Sequence, residues 1–264
     1  MARVIAVTNQ KGGVGKTTTC VNLAASLAAT KRRVLLVDMD PQGNATMGSG
    51  VDKNALELSG YDMLTKRAGA AEVIIPAEAS GFDILPANGD LTAAEVELMN
   101  EIGREHRLRL ALNTLRDNYD YILIDCPPSL SLLTVNALSA ADSVLIPMQC
   151  EYYALEGLAA LMNTVEQIQE TVNPNLQVEG ILRTMYDPRN SLTLDVSGQL
   201  SEYFGDKVYR AVIPRNVRLA EAPSYGVPAL KYDRASKGAI AYLALAGEMV
   251  RRHGSKKTSA PVAV

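Results

Sequence analysis

Short runs of consecutive apolar residues recur along the chain, separated by longer stretches of helical character. Five of these runs read as strands: 4–7 (VIAV), 34–38 (VLLVD), 121–125 (YILID), 144–147 (VLIP) and 178–182 (VEGIL). Unbroken apolar runs are typical of strands buried on both faces, as in a parallel sheet. The alternation of strands and helices predicts an α/β fold, a doubly wound and mostly parallel sheet flanked by helices, which binds ligands beyond the carboxyl ends of its strands.

Two later segments carry apolar side chains at helical spacing. The first stripe consists of Leu155, Leu158, Leu161, Met162, Val165 and Ile168. The second follows a candidate N-cap at Ser236 and consists of Ile240, Leu243, Gly247 and Val250. Thr92 and Glu95 have the spacing of a capping box, which predicts the start of a further helix. We expect a single domain over residues 1–253 and a disordered basic tail over 254–264.

Composition limits the class of protein. With 264 residues, 47% of them hydrophobic, the chain can bury a large core as one α/β domain or as two small ones, and we favour one. Cys20, Cys126 and Cys150 are too few and too scattered for a disulfide framework, and two histidines leave no zinc-like spacing. No leader precedes the first strand, and no apolar stretch approaches the ~20 residues of a membrane helix. We therefore expect a cytoplasmic protein without a membrane partner.

The net charge of −3 is unevenly distributed. Residues 183–264 contain 13 Lys or Arg and 7 Asp or Glu, whereas residues 1–182 contain 13 and 22. A basic C-terminal third fits an anionic partner, but charge alone equally fits an ordinary solvated surface.

A glycine-rich loop, KGGVGKTT over residues 11–18, follows the first predicted strand and opens a helix at 16–27. Its glycines permit backbone conformations in which consecutive N–H groups turn toward a phosphate chain. Lys16 can reach the β and γ oxygens of the nucleotide, and Thr17 is placed to ligate Mg²⁺. The predicted nucleotide-binding residues of the loop are Lys11, Gly12, Gly13, Val14, Gly15, Lys16, Thr17 and Thr18.

The loop departs from the usual pattern G-x-x-x-x-G-K-[ST], because Gln10 stands where the first glycine would fall. It carries a second lysine, Lys11, at its start. This stretch resembles the deviant Walker A motif of the partition ATPases, the cell-division positioning ATPases and the nitrogenase iron-protein relatives. The resemblance implies that Lys11 crosses a dimer interface to the phosphates held by the other subunit; the alternative is a solvated loop lysine. Cations between two facing triphosphates would also offset their repulsion.

Two acids complete the predicted site. Asp40, in DMDPQGNAT, would stand at the active-site edge of the sheet, where it could orient water or merely cap the following turn. Asp125 ends a run that resembles a Walker B strand, and its carboxylate would hold Mg²⁺. The resemblance assigns Asp40, with Lys11 and Lys16, to catalysis and Asp125, with Thr17, to the metal.

From residue 2 to about 252 the chain resembles the short chromosomal ParA/Soj type of partition ATPase. The most specific stretch is VIPRNVRLAEAPSYGVPALKYD, residues 212–233. The resemblance implies that Pro214 and Asn216 lie near the adenine of ATP and that nearby basic residues bind DNA without sequence preference. The candidates for DNA binding are Arg189, Arg215 and Arg218, supported by Arg183, Lys231, Arg234 and Lys237.

The resemblance implies an ATP-dependent switch. Mg·ATP would close a homodimer that binds nonspecific double-stranded DNA, a ParB/Spo0J-type centromere-binding protein would stimulate hydrolysis, and the protein would associate with the nucleoid. A membrane-cycling MinD-like ATPase is disfavoured because the C-terminus lacks an amphipathic helix with large apolar residues. A cargo-positioning ATPase and a P-loop metabolic ligase remain as alternatives, although the ligase would need a second-substrate pocket.

Overall fold

Eight strands form one sheet in residues 1–255, the part of the chain that the computed structural model describes. Their bounds are β1 Arg3–Val7, β2 Val34–Asp38, β3 Ile75–Ala77, β4 Phe82–Leu85, β5 Tyr121–Asp125, β6 Ser143–Gln149, β7 Gln177–Tyr186 and β8 Val208–Pro214. They lie in the order β3-β4-β2-β5-β1-β6-β7-β8. Seven strands run parallel and β3 pairs antiparallel with β4. The predicted fold class is confirmed.

Helices connect these strands. Their bounds are α1 Lys16–Ala29, α2 Asn44–Gly48, α3 Gly60–Leu64, α4 Ala70–Val73, α5 Leu91–Glu97, α6 Arg107–Asn113, α7 Leu132–Ala140, α8 Ala154–Thr171, α9 Ser191–Phe204, α10 Val217–Glu221, α11 Ala229–Tyr232 and α12 Lys237–Ser255. The apolar stripe predicted for α8 is confirmed, since Leu158, Leu161, Val165 and Ile168 are buried.

Two apolar layers cover the two faces of the sheet. On one face, α7 and α8 contribute Leu133, Leu158 and Leu161 to the core. On the other face, α1 and α12 pack together, with Leu23 and Leu245 buried completely. Strands β2 and β5 are apolar up to their terminal aspartates because both of their faces are covered.

The order in which the chain adds strands to the sheet reverses at β1, which lies between β5 and β6. Strands β2 to β5 lie on one side of β1, and β6 to β8 lie on the other side. Ligands of open α/β sheets bind in the crevice at such a switch point, beyond the carboxyl ends of the strands. The glycine-rich loop begins at this crevice.

The face of α12 differs from the predicted one. Ile240 is 55% exposed, and the buried stripe consists of Ala239, Tyr242, Leu245, Ala246 and Met249. Apolar residues occupy adjacent positions in this helix, so two stripes fit the sequence, and packing against α1 and β8 selects one. The predicted N-cap is confirmed, because the Ser236 hydroxyl accepts the backbone N–H of Ala239 at 3.2 Å.

The predicted capping box at Thr92 is wrong. A cap at Thr92 would start the helix at Ala93, whereas α5 begins two residues earlier, at Leu91, and Glu95 instead accepts the backbone N–H of Leu133 at 3.5 Å. This contact across two helices competes with the local cap.

At the C-terminus, α12 continues through Ser255, so the first two residues of the predicted tail are helical. The remainder of that tail, 256–264, lies outside the described residues. No helix within residues 1–255 combines the length and apolarity needed to cross a bilayer.

Candidate nucleotide-binding site

The glycine-rich loop joins the end of β1 to the start of α1. Gly13 and Gly15 adopt positive φ angles of 75° and 89°, a conformation that glycine tolerates and other residues rarely adopt. Gly15 is also the N-cap of α1. Because no side chain caps this helix, the backbone N–H groups of its first turn can donate to a ligand in the loop. Gly12 does not adopt positive φ, and a Cβ there would meet nothing within 4 Å. The left-handed geometry therefore explains Gly13 and Gly15 but not Gly12.

Neighbouring strands hold the loop in place. The Thr184 hydroxyl, on β7, donates to the carbonyl of Val14 at 2.7 Å. Asn9 donates to the Pro147 carbonyl at 2.8 Å and accepts the backbone N–H of Lys11 at 2.9 Å. No sequence pattern predicts the role of Thr184, because its contact spans 170 residues.

The two lysines of the loop differ in environment. Lys16 is 7% exposed, and its amine lies 3.4 Å from the carbonyl of Lys11, above the loop backbone. Lys11 points outward, and its amine forms an ion pair with Glu151 at 2.6 Å. Lys16, buried at the start of α1, can bind a phosphate chain within its own subunit. Lys11 instead faces solvent and is paired with Glu151.

Asp38 and Asp125 are neighbours in the parallel register of β2 and β5, and both are fully buried. Burial, together with the charge of the adjacent Asp38, raises the pKa of Asp125 to about 8, although hydrogen bonds from Thr17 and Cys20 oppose the shift. Burial likewise raises the pKa of Asp38 to about 6. Two buried carboxyls side by side create a strong local demand for a cation.

The residues around Asp125 fit a magnesium ion. Its Oδ2 is buried without a hydrogen-bond partner among residues 1–255, its Oδ1 accepts the Cys20 thiol at 3.5 Å, and the nearby Thr17 side chain lowers its pKa. Mg²⁺ prefers oxygen ligands and commonly takes one or two from the protein, with waters and nucleotide phosphates completing the shell. The described residues contain no group of three or more His, Cys, Asp or Glu side chains that could hold a metal ion by themselves.

Asp38 is a buried carboxylate beside the site that the sequence analysis did not single out. Its carboxylate accepts bonds from the Thr46 backbone N–H at 2.9 Å, the Thr46 hydroxyl at 2.8 Å and the Asp40 backbone N–H at 3.1 Å. It thereby fixes the segment that carries Asp40. An aspartate directly after VLLV is the available signal, since it ends a strand at the carboxyl edge.

Asp40 lies at that edge of the sheet and is half-buried. Its Oδ1 accepts the Gln42 backbone N–H at 3.0 Å, and its carbonyl accepts that of Gly43 at 2.9 Å. Asp40 therefore caps the turn, which was the alternative to its catalytic role. One capped oxygen leaves the carboxylate able to contact water, and the two roles are compatible.

A cleft of about 350 Å³ opens beside the loop. It is mostly apolar, and its lining includes Gly15, Thr18, Met185, Pro214, Asn216 and Tyr242. The loop that follows β8 thus meets the start of α1, as expected for Pro214 and Asn216. Asn216 is also the N-cap of α10, accepting the Arg218 backbone N–H at 3.1 Å. A purine base with an attached phosphate chain matches this combination of apolar cleft and phosphate loop.

The predicted DNA-binding residues fall into three groups. Arg189 and Arg218 are exposed but paired, Arg189 with Asp187 at 2.8 Å and Arg218 with Glu221 at 2.7 Å. Arg215 is exposed and adds a smaller contribution to the lowered pKa of Asp187, which is caused mainly by the hydrogen bonds from Arg189. The third group is exposed and makes no salt bridge to residues 1–255; it consists of Lys231, Arg234 and Lys237.

Arg183 does not belong with these residues. Its guanidinium donates to the Ser197 hydroxyl at 2.7 Å and to the carbonyl of Tyr209 at 2.7 Å. These bonds tie β7 to α9 and β8. The expectation that Arg183 supports DNA binding is corrected to a structural role, because both of its terminal nitrogens donate hydrogen bonds within the fold.

Comparison with known proteins agrees with this site. Residues 2–178 match the AAA domain family. The chain is 55% identical to the sporulation initiation inhibitor protein Soj of Bacillus subtilis, over 94% of this chain and 98% of that protein. It is 52% identical to the chromosome partitioning protein ParA of Myxococcus xanthus, over 100% of this chain and 93% of that protein.

Solved structures show the same fold. The cell-division ATPase MinD of Pyrococcus furiosus matches with a TM-score of 0.79 and 28% identity, covering 96% of this chain and 100% of that one. A structure titled cobyrinic acid a,c-diamide synthase of Mycobacterium smegmatis, with a bound ATP analogue and magnesium, matches with a TM-score of 0.85 and 38% identity, covering 97% of each chain. The chain therefore belongs to the ParA/Soj branch of the MinD/ParA family of P-loop ATPases.

Proposed function

We propose that this protein is an ATP-driven switch for DNA partitioning. It binds Mg·ATP, dimerises around the nucleotide and binds double-stranded DNA without sequence preference. Hydrolysis of ATP to ADP and phosphate then releases the DNA. The observation that carries the proposal is a complete nucleotide cradle with a second, outward-facing lysine at its rim. The names of the Soj and ParA relatives support a role in chromosome or plasmid segregation.

Within one subunit, the loop N–H groups and the buried Lys16 hold the phosphates, and the cleft next to Pro214 holds the base. Magnesium, bound by Thr17 and Asp125, would neutralise phosphate charge. Asp40 orients the attacking water from the carboxyl edge of β2. Asp38 fixes that segment through Thr46 and through the backbone N–H of Asp40.

The exposed side chain of Lys11 can reach a nucleotide held by a second subunit, which supports ATP-dependent dimerisation. Two triphosphates facing each other across an interface repel, and a cation from each subunit offsets that repulsion. ATP binding then controls whether two basic surfaces act together. Doubling the number of phosphate contacts on one DNA raises affinity by orders of magnitude without any base readout.

The DNA-binding surface consists of Arg189, Arg215, Arg218, Lys231, Arg234 and Lys237, which are all exposed. These residues concentrate the positive charge of the C-terminal third. A ParB/Spo0J-type protein stimulates hydrolysis, and its location on the cargo makes release directional. In the cell the ATP-bound dimer associates with the nucleoid.

A metabolic ligase is the competing function, and the 38% identical structure titled as a synthase supports it. The partition relatives are more similar, at 50 to 55% identity across nearly the whole chain. An ATPase assay separates the two functions. We expect stimulation by DNA together with a ParB-type partner, whereas stimulation by a carboxylated small molecule, with formation of a new amide, would favour the ligase.

A further inference from the structure

The exposed lysine of the nucleotide loop already has a partner within its own subunit. The Lys11 amine lies 2.6 Å from Oε2 of Glu151, and the two side chains are 51% and 46% exposed. Glu151 stands in the turn between β6 and α8, where its N–H donates to the Gln149 carbonyl at 3.0 Å and its carbonyl accepts from Ala154 at 3.0 Å. The turn therefore fixes the backbone of Glu151 opposite the loop.

The backbone of Lys11 is held while its side chain can move. Its N–H donates to Asn9, which is anchored on Pro147, and its carbonyl accepts the amine of Lys16. Its amine forms the half-exposed ion pair with Glu151. Exposed pairs of this kind contribute little and exchange readily, so Lys11 can change partners without rearranging the loop.

The surface beside this pair faces outward. Tyr152 and Tyr153 are 76% and 71% exposed, and their rings meet edge to face with centroids 5.0 Å apart. Residues 151–153 thus form a solvent-facing corner next to the start of the nucleotide loop. A second subunit that approaches the nucleotide from this side would meet Lys11 and Glu151 together.

We propose that Glu151 is a positioning residue that holds Lys11 within the monomer and thereby sets the ATP-dependent dimerisation equilibrium. The inference rests on the proposed function, in which Lys11 contacts phosphates across the interface. Dimerisation then breaks the ion pair and leaves the Glu151 carboxylate uncompensated near two triphosphates. Both effects favour the monomer, so removing this charge should favour the dimer.

The first experiment compares Glu151→Gln with Glu156→Gln in an Asp40→Ala background, which prevents turnover. Glu156 is an exposed carboxylate in the first turn of α8, so it controls for the loss of one negative charge from the same region. Analytical ultracentrifugation with Mg·ATP measures the dimer dissociation constant. Each dimer breaks two such pairs, so we expect Glu151→Gln to lower it about twofold to thirtyfold and Glu156→Gln to leave it unchanged.

The second experiment tests the ion pair itself in the nucleotide-free monomer. Acetylation of Lys11 by an N-hydroxysuccinimide ester is quantified by peptide mass spectrometry, with the exposed Lys237 as the internal reference. Glu151→Gln should raise the labelling rate of Lys11 severalfold, because the paired amine becomes accessible, whereas Glu156→Gln should not change it.

The two experiments together decide the proposal. Faster labelling with a tighter dimer supports it. Unchanged labelling shows that Glu151 does not hold Lys11 and overturns it, and faster labelling with an equal or weaker dimer overturns the effect on the equilibrium. If every variant remains monomeric with Mg·ATP, the proposed function fails and the role in the equilibrium fails with it, whereas the labelling result still identifies the ion pair.

Discussion

Arg218 is a candidate DNA contact that is held between two carboxylates. Its guanidinium lies 2.7 Å from Glu221 and 3.4 Å from Asp233, and it also faces the ring of Tyr232 at 6.0 Å. DNA must compete with these acids for the cation. We therefore predict two changes of opposite sign: Arg218→Gln should weaken DNA binding, and Glu221→Gln should strengthen it.

The size of each effect follows from the contacts. Each phosphate contact contributes a slope of about 0.9 in the dependence of log affinity on log salt, so losing Arg218 from both subunits should flatten the slope by about 1.8. Glu221 is an exposed partner, and freeing Arg218 from it should be worth about 0.2–1 kcal/mol per subunit. Neutral substitutions are preferable, because Arg218→Glu would place a third carboxylate beside two others, and like charges ~4 Å apart cost about 1–4 kcal/mol.

The assay is fluorescence anisotropy of two unrelated labelled duplexes, titrated with the Asp40→Ala dimer in Mg·ATP over a salt series. Glu202→Gln is the matched control, since Glu202 is an exposed carboxylate on α9, which packs on the opposite face of the sheet from Leu219 of α10. An unchanged slope for Arg218→Gln, or weaker binding by Glu221→Gln, would remove Arg218 from the DNA surface. A loss confined to one duplex would contradict nonspecific binding.

Three further predictions concern the loop and the fold. Lys16→Ala should abolish Mg·ATP binding in isothermal titration calorimetry, because the phosphates lose their nearest cation; affinity within a few-fold of wild type would refute the assignment. Lys11→Ala should bind Mg·ATP but form no ATP dimer in light scattering, and normal dimers would make it a solvated loop residue. Burial raises the pKa of Glu179, but His253, Tyr209 and Ser143 bring it down to about 2, so Glu179→Gln should lower the unfolding free energy by about 3 kcal/mol at pH 7. That difference should disappear in urea titrations as the pH falls from about 4.5 toward 2, and a constant difference would argue against this linkage.

The parts of the fold that sequence predicted are those where local chemistry is sufficient. The strands Val34–Asp38 and Tyr121–Asp125 were predicted with their observed bounds, because full burial on both faces requires an unbroken apolar run. Strand β8, VYRAVIP, was missed because its polar positions interrupt such a run at the edge of the sheet. The stripe on α12 was placed on the wrong face, since packing rather than spacing selects between adjacent apolar positions.

The site shows the same division. The loop, Asp40 and Asp125 carry recognisable local patterns, and Pro214 and Asn216 were placed by resemblance. Thr184, which holds the loop through Val14, and Glu151, which pairs with Lys11, act across 170 and 140 residues. No local pattern reveals such contacts. Arg183 resembles the exposed arginines in sequence, and only its bonds to β8 and α9 distinguish it.

The central claim is that ATP controls both dimerisation and DNA binding. Sedimentation velocity of the Asp40→Ala protein, with and without Mg·ATP and plasmid DNA, tests this claim directly. This variant should bind ATP but not hydrolyse it, so the ATP-bound state should persist. We predict a monomer without nucleotide, a dimer with Mg·ATP, and co-sedimentation with DNA only when Mg·ATP is present. A protein that remains monomeric with Mg·ATP, or that binds DNA equally well without nucleotide, would contradict the account.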